Sequence, residues 1–260
     1  MAANMLLNIA EDFELTLIGI IVFFFIGIAL FFSWFFLSAK TRHIAQKCEG
    51  VAPTLLGLPA ILFSLTVALL ASSIWDNYNM ANKSVRNEAL GLATIIDLAQ
   101  TIPSLKDSTL VNNAKTYTQS IIDDEWITLS ANGRPAESTK KHFEELRSST
   151  FQAVNSLNNN AESKALMHAV EIVNDSRKAR LSFVSFNVHP IRWYAIIVLA
   201  VLVLLTVALI HPAKPKVLLI AMGISTITLL IPICTLALTL SSPYVGVISI
   251  SYDPLLSVLR

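Results

Sequence analysis

The sequence predicts an all-α membrane protein with four transmembrane helices and an extramembrane antiparallel helical bundle inserted between the second and the third. Three observations lead to this fold class. Of the 260 residues, 54% are hydrophobic and only 14% are charged, whereas about a quarter of a soluble domain is charged. Four long stretches contain no charged residue, and the polar stretch between them has the periodicity of helices.

The four uncharged stretches are the predicted membrane spans. They cover residues 15–39, 50–75, 193–212 and 217–243, and each can hold the roughly 20 apolar residues with which a helix crosses a bilayer. The residues before the first stretch include acids but no base, whereas a signal peptide begins with a positive region. We therefore expect the first stretch to remain in the mature protein as a helix.

The spans divide the chain into four parts. Residues 1–75 hold the N-terminal tail and the first two spans, and residues 76–192 form the helical bundle. Residues 193–240 hold the last two spans, and residues 241–260 form a C-terminal interfacial segment.

The bundle is predicted to begin as a continuation of the second span. No proline lies between Pro59 and Pro103, and apolar or small residues recur every three or four positions beyond Trp75. This pattern predicts one helix of about 44 residues, roughly 65 Å long. Ser104 is then expected to cap a second helix that reaches Trp126.

Two more helices complete the predicted bundle. The residues Asn132-Gly133-Arg134-Pro135 are typical of a turn. Apolar residues recur at helical spacing over 143–157 and again over 165–183, with three asparagines between the two stretches. Short turns between amphipathic helices favour antiparallel packing.

The C-terminal segment is expected to be neither a membrane span nor a disordered tail. Pro243, Gly246 and Pro254 exclude one continuous helix, and the loose alternation between them is compatible with an extended stretch. Tyr244 and Tyr252 among apolar neighbours are typical of a membrane interface or a subunit contact.

The basic residues of the short loops predict the orientation in the membrane. Lys40, Arg42 and Lys47 follow the first span, and Lys214 and Lys216 follow the third. Both loops should face the cytoplasm, because short cytoplasmic loops are enriched in Lys and Arg. The bundle is then expected on the non-cytoplasmic side.

Two polar or small stripes at helical spacing are candidates to line a pore. The first consists of Ser64, Ala68, Ser72, Trp75, Asn79, Asn82 and Arg86, and the second of Ser225, Thr228, Pro232, Thr235, Thr239 and Ser242. The alternative is tight helix packing, which is the commoner role of small and hydroxyl residues in membranes, and we favour it for either stripe alone.

The bundle also contains charged residues placed to form ion pairs. Glu125, which precedes Trp126, is expected to pair with Arg177 or Arg180, and Glu88 is a second acid for the same basic cluster. We interpret this set as a structural ion-pair network. The neighbouring acids of the run Asp123-Asp124-Glu125 are expected to belong to a solvated helix face rather than to a cation site, because consecutive residues diverge around a helix.

The order and spacing of several landmarks resemble the bacterial bestrophin-like membrane family of unknown function, over roughly residues 50–258. These landmarks are Trp75, Tyr78, Glu88, Pro103, Tyr117, Glu125, Trp126, Arg177, Arg180, Trp193, Pro243 and Gly246. The resemblance implies a multi-pass protein of the bacterial inner membrane that forms a homo-oligomer, for which a pentamer is one form. It further implies a central pore, as in the bestrophin anion channels.

The residue types argue against several other activities. The spans contain no Asp, Glu, Lys or Arg, which disfavours proton-coupled carriers and voltage sensors but not a passive pore. No nucleotide-binding, hydrolase or metalloprotease motif is present, so we predict neither an enzyme nor a cofactor. His168 and Glu171 are a lone pair at spacing three and do not predict a metal site, and the net charge of +1 does not favour nucleic-acid binding.

Two functional hypotheses remain. The first is an oligomeric passive ion channel, for anions, in which the second helix of each subunit faces a shared axis. The alternative is a non-conducting membrane sensor or scaffold whose bundle binds a ligand or a protein partner. Both hypotheses place the protein in contact with the lipid bilayer. The first also predicts that the protein interacts with inorganic ions.

Overall fold

A computed structural model of the chain describes residues 2–38, 52–106, 109–157, 161–183, 190–210, 215–238, 244 and 249–260. It divides into two compact units. The first comprises Asp76–Phe186, Ser241–Arg260 and Met1–Ile9, and the second comprises Ala10–Trp75 and Asn187–Leu240. Within the described residues all regular structure is helical and no strand occurs, which confirms the all-helical part of the predicted fold class.

Nine α-helices lie within the described residues. They are α1 (Ala2–Leu37), α2 (Ala52–Thr101), α3 (Leu110–Ser120), α4 (Trp126–Asn132), α5 (Glu137–Ser156), α6 (Ala161–Ser182), α7 (Pro190–Ile210), α8 (Pro215–Ala237) and α9 (Asp253–Leu259). A 3₁₀ turn (Pro103–Leu105) precedes α3, and a π turn (Ile121–Glu125) joins α3 to α4.

Four helices of the described part are long and apolar enough to cross a membrane. These segments are Leu15–Leu37, Gly57–Thr101, Ile191–Ile210 and Pro215–Ala237. In the second unit α7 packs against α8, and the core contains Phe25, Phe63 and Leu204. Large apolar side chains also point outward, among them Phe23 with 81% of its surface exposed. Such an apolar exterior requires lipid as its solvent.

The helix α2 is continuous for 50 residues. The prediction that no break occurs near Trp75 is therefore confirmed. Pro59 lies inside α2 without ending it, because neighbouring groups in membrane helices compensate for the hydrogen bond that a proline removes.

The first unit has its own core, to which α2, α3, α5, α6 and α9 contribute. Within it α3 packs against α5, and α5 against α6. The turn at Gly133 is confirmed: its φ of 62° ends α4 in the left-handed conformation that glycine adopts without strain.

The expected start of the second bundle helix is wrong. Ser104 lies in the short 3₁₀ turn that Pro103 opens, and α3 begins only at Leu110. Ile102 is extended, with ψ of 115°, because the ring of a following proline disfavours the helical conformation. The extended residue before Pro103 therefore ends α2, and the next described α-helix begins at Leu110.

Candidate functional site: a buried ion-pair network

Five polar side chains meet inside the first unit. Glu88 comes from α2, Tyr117 from α3, Glu125 from the π turn, and Arg177 and Arg180 from α6. Arg177 is 6% exposed and the other four have no exposed surface. A buried charge is costly unless it is paired and hydrogen-bonded, so the contacts of this set decide whether the unit is stable.

Arg177 binds the carboxylate of Glu125 through two parallel hydrogen bonds. Its Nη2 donates to Oε1 at 2.8 Å and its Nη1 to Oε2 at 3.0 Å. Nη1 also donates to the hydroxyl of Tyr117 at 3.2 Å, and the guanidinium lies 5.5 Å from the ring centroid of Phe143. Arginine binds a carboxylate most strongly and most specifically in this bidentate geometry.

Arg180 joins both acids. Its Nε donates to Oε2 of Glu88 at 2.6 Å, and its Nη2 donates to Oε1 of Glu88 at 3.2 Å and to Oε2 of Glu125 at 2.7 Å. The hydroxyl of Tyr117 donates to Oε1 of Glu88 at 2.5 Å. The structure thus contains the expected pairing of Glu125 with an arginine, and both arginines take part.

Local backbone features bring these groups together. Arg177 and Arg180 are three residues apart on α6 and therefore share one face. The π turn that ends at Glu125 widens the helix by one residue, a feature that is frequent at functional sites. At Gly91 a Cβ atom would lie 2.7 Å from a methyl group of Val173, so only glycine lets α2 approach α6 this closely.

The C-terminal segment packs onto the same region. The hydroxyl of Tyr244 donates to the carbonyl oxygen of Arg180 at 2.5 Å. The ring of Trp126 contacts Tyr244 and Tyr252 edge-on, at centroid distances of 5.1 and 5.6 Å. The sequence suggested a membrane interface or a subunit contact for the two tyrosines, whereas in the structure Tyr244 is buried and Tyr252 remains 39% exposed.

Burial and charge shift the pKa values of the network. Burial, reinforced by the charge of Glu88, raises the pKa of Tyr117 well above its usual range. Burial alone would lower the pKa of Arg180. The negative charges of Glu88 and Glu125 have the larger, opposite effect, so the pKa of Arg180 is raised well above its usual value. The phenol therefore stays neutral while the arginines stay charged, and two positive charges face two negative ones.

The network is buried and joins α2, α3, the π turn and α6 to one another rather than exposing a reactive group. Its acids and bases are bonded to one another, and within the described residues no group of three or more His, Cys, Asp and Glu side chains is placed to hold a metal ion. Asp123 and Asp124 are exposed next to the buried Glu125, as expected for a solvated helix face.

The second unit has a groove where the two candidate pore stripes meet. It encloses about 440 Å³, and Ser64 and Ala68 of α2 line it together with Ser225, Thr228 and Pro232 of α8. The hydroxyl of Ser64 donates to the carbonyl oxygen of Ala60 at 2.8 Å, and that of Thr228 to the carbonyl oxygen of Ile224 at 2.9 Å. Both hydroxyls thus satisfy their hydrogens within their own helices and keep lone pairs available.

Comparison with protein families decides the family. The sequence matches the Bestrophin-like domain over residues 23–255. The chain belongs to the bestrophin-like family. It is therefore a membrane protein of that family, as the four apolar helices also indicate. A comparison with curated proteins gave no match.

The other family landmarks of this bestrophin-like protein lie outside the ion-pair network. Pro103 opens the 3₁₀ turn, and the hydroxyl of Tyr78 donates to the carbonyl oxygen of Ser249 at 3.3 Å. The indole N–H of Trp193 is buried and has no hydrogen-bond partner among the described residues. Four candidate residues lie outside the described residues: Thr239, Ser242, Pro243 and Gly246.

Sequence reasoning did not assign Tyr244 to the network. The only signal for it was its place in a proline- and glycine-punctuated segment after the last span. Such a segment carries no periodicity that indicates where it packs, so its contact with Arg180 could not be foreseen.

Proposed function

We propose that this bestrophin-like protein is a homo-oligomeric passive ion channel, with anions as the permeant ions. The observation that carries the proposal is the uncovered polar face of α2. Ser64, Ala68, Ser72, Trp75 and Asn79 are all exposed in the single chain, although they follow one another at helical spacing on the longest helix. Membership of the bestrophin-like family supports the same function.

The chemistry of the spans supports a passive pathway. A small, hydroxyl-bearing face can conduct ions without any ionisable group, because hydroxyls and backbone dipoles stabilise an ion as it sheds water. The groove between α2 and α8 presents such atoms at Ser64, Ser225 and Thr228. Thr235, which belongs to the second candidate stripe on α8, is also exposed.

Positive residues at one end of the α2 face support anions as the permeant species. Arg86 and Lys83 are exposed, and Asn82 is half-buried beside them. Cations at a channel entrance raise the local concentration of anions. The basic loops after the first and third spans support a topology in which this entrance lies on the non-cytoplasmic side of a bacterial inner membrane.

Ion flux through the purified protein in liposomes tests the proposal. We expect currents whose reversal potential follows the chloride gradient, and we expect Arg86→Glu to lower the ratio of chloride to potassium permeability several-fold. Arg147→Glu is the matched control, because Arg147 is also exposed but lies on α5. Absence of current under every gradient, or an unchanged ratio in Arg86→Glu, would contradict the proposal.

The oligomeric state is tested separately. Native mass spectrometry of the detergent-solubilised protein should give a homo-oligomer, with a pentamer as the form that the family suggests. A monomer that persists across detergents and in lipid nanodiscs would remove the shared axis on which the proposed pore depends.

The continuity of α2 favours a second candidate function. A single helix of 50 residues can transmit a displacement along its length, as a sensor or scaffold requires. In that case cross-linking should capture a partner on the first unit, and Trp126→Ala should abolish the capture while Ser64→Val leaves it unchanged. Chloride flux that responds to Ser64→Val but not to Trp126→Ala would exclude this alternative.

A further inference from the structure

One guanidinium group of the buried network has a nitrogen to which no described residue bonds. Arg180 has no exposed surface. Its Nε and Nη2 donate to Glu88 and Glu125, but its Nη1 has no hydrogen-bond partner among the described residues. The described part of the chain therefore leaves two N–H bonds of a fully buried, charged group unsatisfied.

Such a group is rarely left alone in a folded protein. More than roughly 90% of buried polar groups have a hydrogen-bond partner, and leaving a charged donor unsatisfied costs more than leaving a neutral donor unsatisfied. The surrounding contacts are short and well aligned, so the side chain is not free to turn this nitrogen toward another group. The geometry calls for a small acceptor at Nη1.

The charge of the network indicates what kind of acceptor fits. Arg177 and Arg180 carry two positive charges, and Glu88 and Glu125 carry two negative ones. An added anion would leave one uncompensated negative charge in the interior, which is strongly unfavourable. A neutral molecule adds no charge, and ordering one water molecule costs little by comparison.

We propose that the first unit contains a binding site for an internal water molecule, which accepts hydrogen bonds from Nη1 of Arg180. A buried water typically makes two to four hydrogen bonds. The network offers an acceptor for a hydrogen of this water, because within the described residues Oε1 of Glu125 accepts one bond, from Arg177. The water completes the coordination of a side chain that joins α2 to the π turn.

A high-resolution structure of the full chain in lipid nanodiscs or crystals tests this site. We expect a peak at about 2.7–3.2 Å from Nη1 of Arg180, the ordinary hydrogen-bond distance. Replacing chloride with bromide should leave it without anomalous signal. An empty site at a resolution that shows other internal waters, or a bromide signal at Nη1, would overturn the proposal.

Two matched variants tie the peak to this nitrogen. Arg180→Lys keeps the charge but removes Nη1, and the peak should disappear. Arg177→Lys changes a neighbouring member of the same network and leaves Nη1 in place, so the peak should remain. A peak that persists in Arg180→Lys, or is lost in Arg177→Lys while Arg180 keeps its position, contradicts the assignment. If Arg180→Lys does not fold, the unsubstituted protein decides.

Discussion

Replacing Arg180 with methionine removes the arginine that, among the described residues, pairs with Glu88. Three hydrogen bonds to carboxylates are lost, and of its hydrogen bonds to described side chains Glu88 keeps the one from the hydroxyl of Tyr117. Breaking a buried ion pair by removing one partner costs about 3–5 kcal/mol, because the remaining charge is left without compensation. Methionine fills much of the same volume as arginine, so the loss of stability reflects mainly the missing positive charge.

Arg177→Met should cost less, and the comparison isolates the cause. Glu125 loses the two bonds from Arg177 but keeps the bond of 2.7 Å from Arg180, so neither acid is left without a positive partner. Arg147→Met on α5 is the surface control. Arg147 is half exposed, and its Nη1 lies 3.6 Å from Oε2 of Glu144. An exposed pair of this kind contributes about 0–1 kcal/mol to the free energy of unfolding.

Thermal unfolding in a single detergent, followed by intrinsic fluorescence, measures this order. At about 2–4 °C per kcal/mol, Arg180→Met should lower the unfolding midpoint on the order of 10 °C, Arg177→Met by less, and Arg147→Met hardly at all. Adding Glu88→Gln to Arg180→Met should recover part of the loss, because it removes the stranded charge. A midpoint unchanged in Arg180→Met, or lower in Arg177→Met, would refute the reasoning.

Three further results are expected. Gly91→Ala should lower the unfolding midpoint, since its Cβ would lie 2.7 Å from a side chain of α6, whereas Gly223→Ala, with nothing within 4 Å, should not. Above pH 10 stability should fall, because the unfolded chain releases the proton of Tyr117 while the folded protein, whose pKa at this group is raised, retains it. Tyr117→Phe should weaken that alkaline loss, measured as the unfolding midpoint against pH. Tyr244→Phe removes the hydrogen bond to α6 and should cost about 1 kcal/mol in chemical unfolding, and a cost near zero would contradict the contact.

Much of the helical framework could be predicted from periodicity and composition. Each of the four apolar helices contains most of one stretch without charged residues, because a charged side chain is too costly in hydrocarbon for lipid-facing positions. The unbroken course of α2 beyond Trp75 followed from the absence of any proline before Pro103. Both features depend on neighbouring residues alone.

Features that depend on contacts between distant residues were less predictable. Residue type suggested Glu88, Glu125, Arg177 and Arg180 as partners, but not that Arg180 joins both acids. Helical periodicity also failed where the backbone departs from it, as at the π turn before Trp126. A pattern with one fixed period cannot indicate an inserted residue.

The sequence by itself determined that this is a helical membrane protein and where its four apolar helices lie, because solvent preference and backbone restriction are properties of short segments. The tertiary structure alone decided that Glu88 and Arg180, 92 residues apart, share a hydrogen bond, and that Tyr244 is buried beside them. Such contacts form only when helices pack at a distance that Gly91 permits, and no local property of the chain specifies that distance.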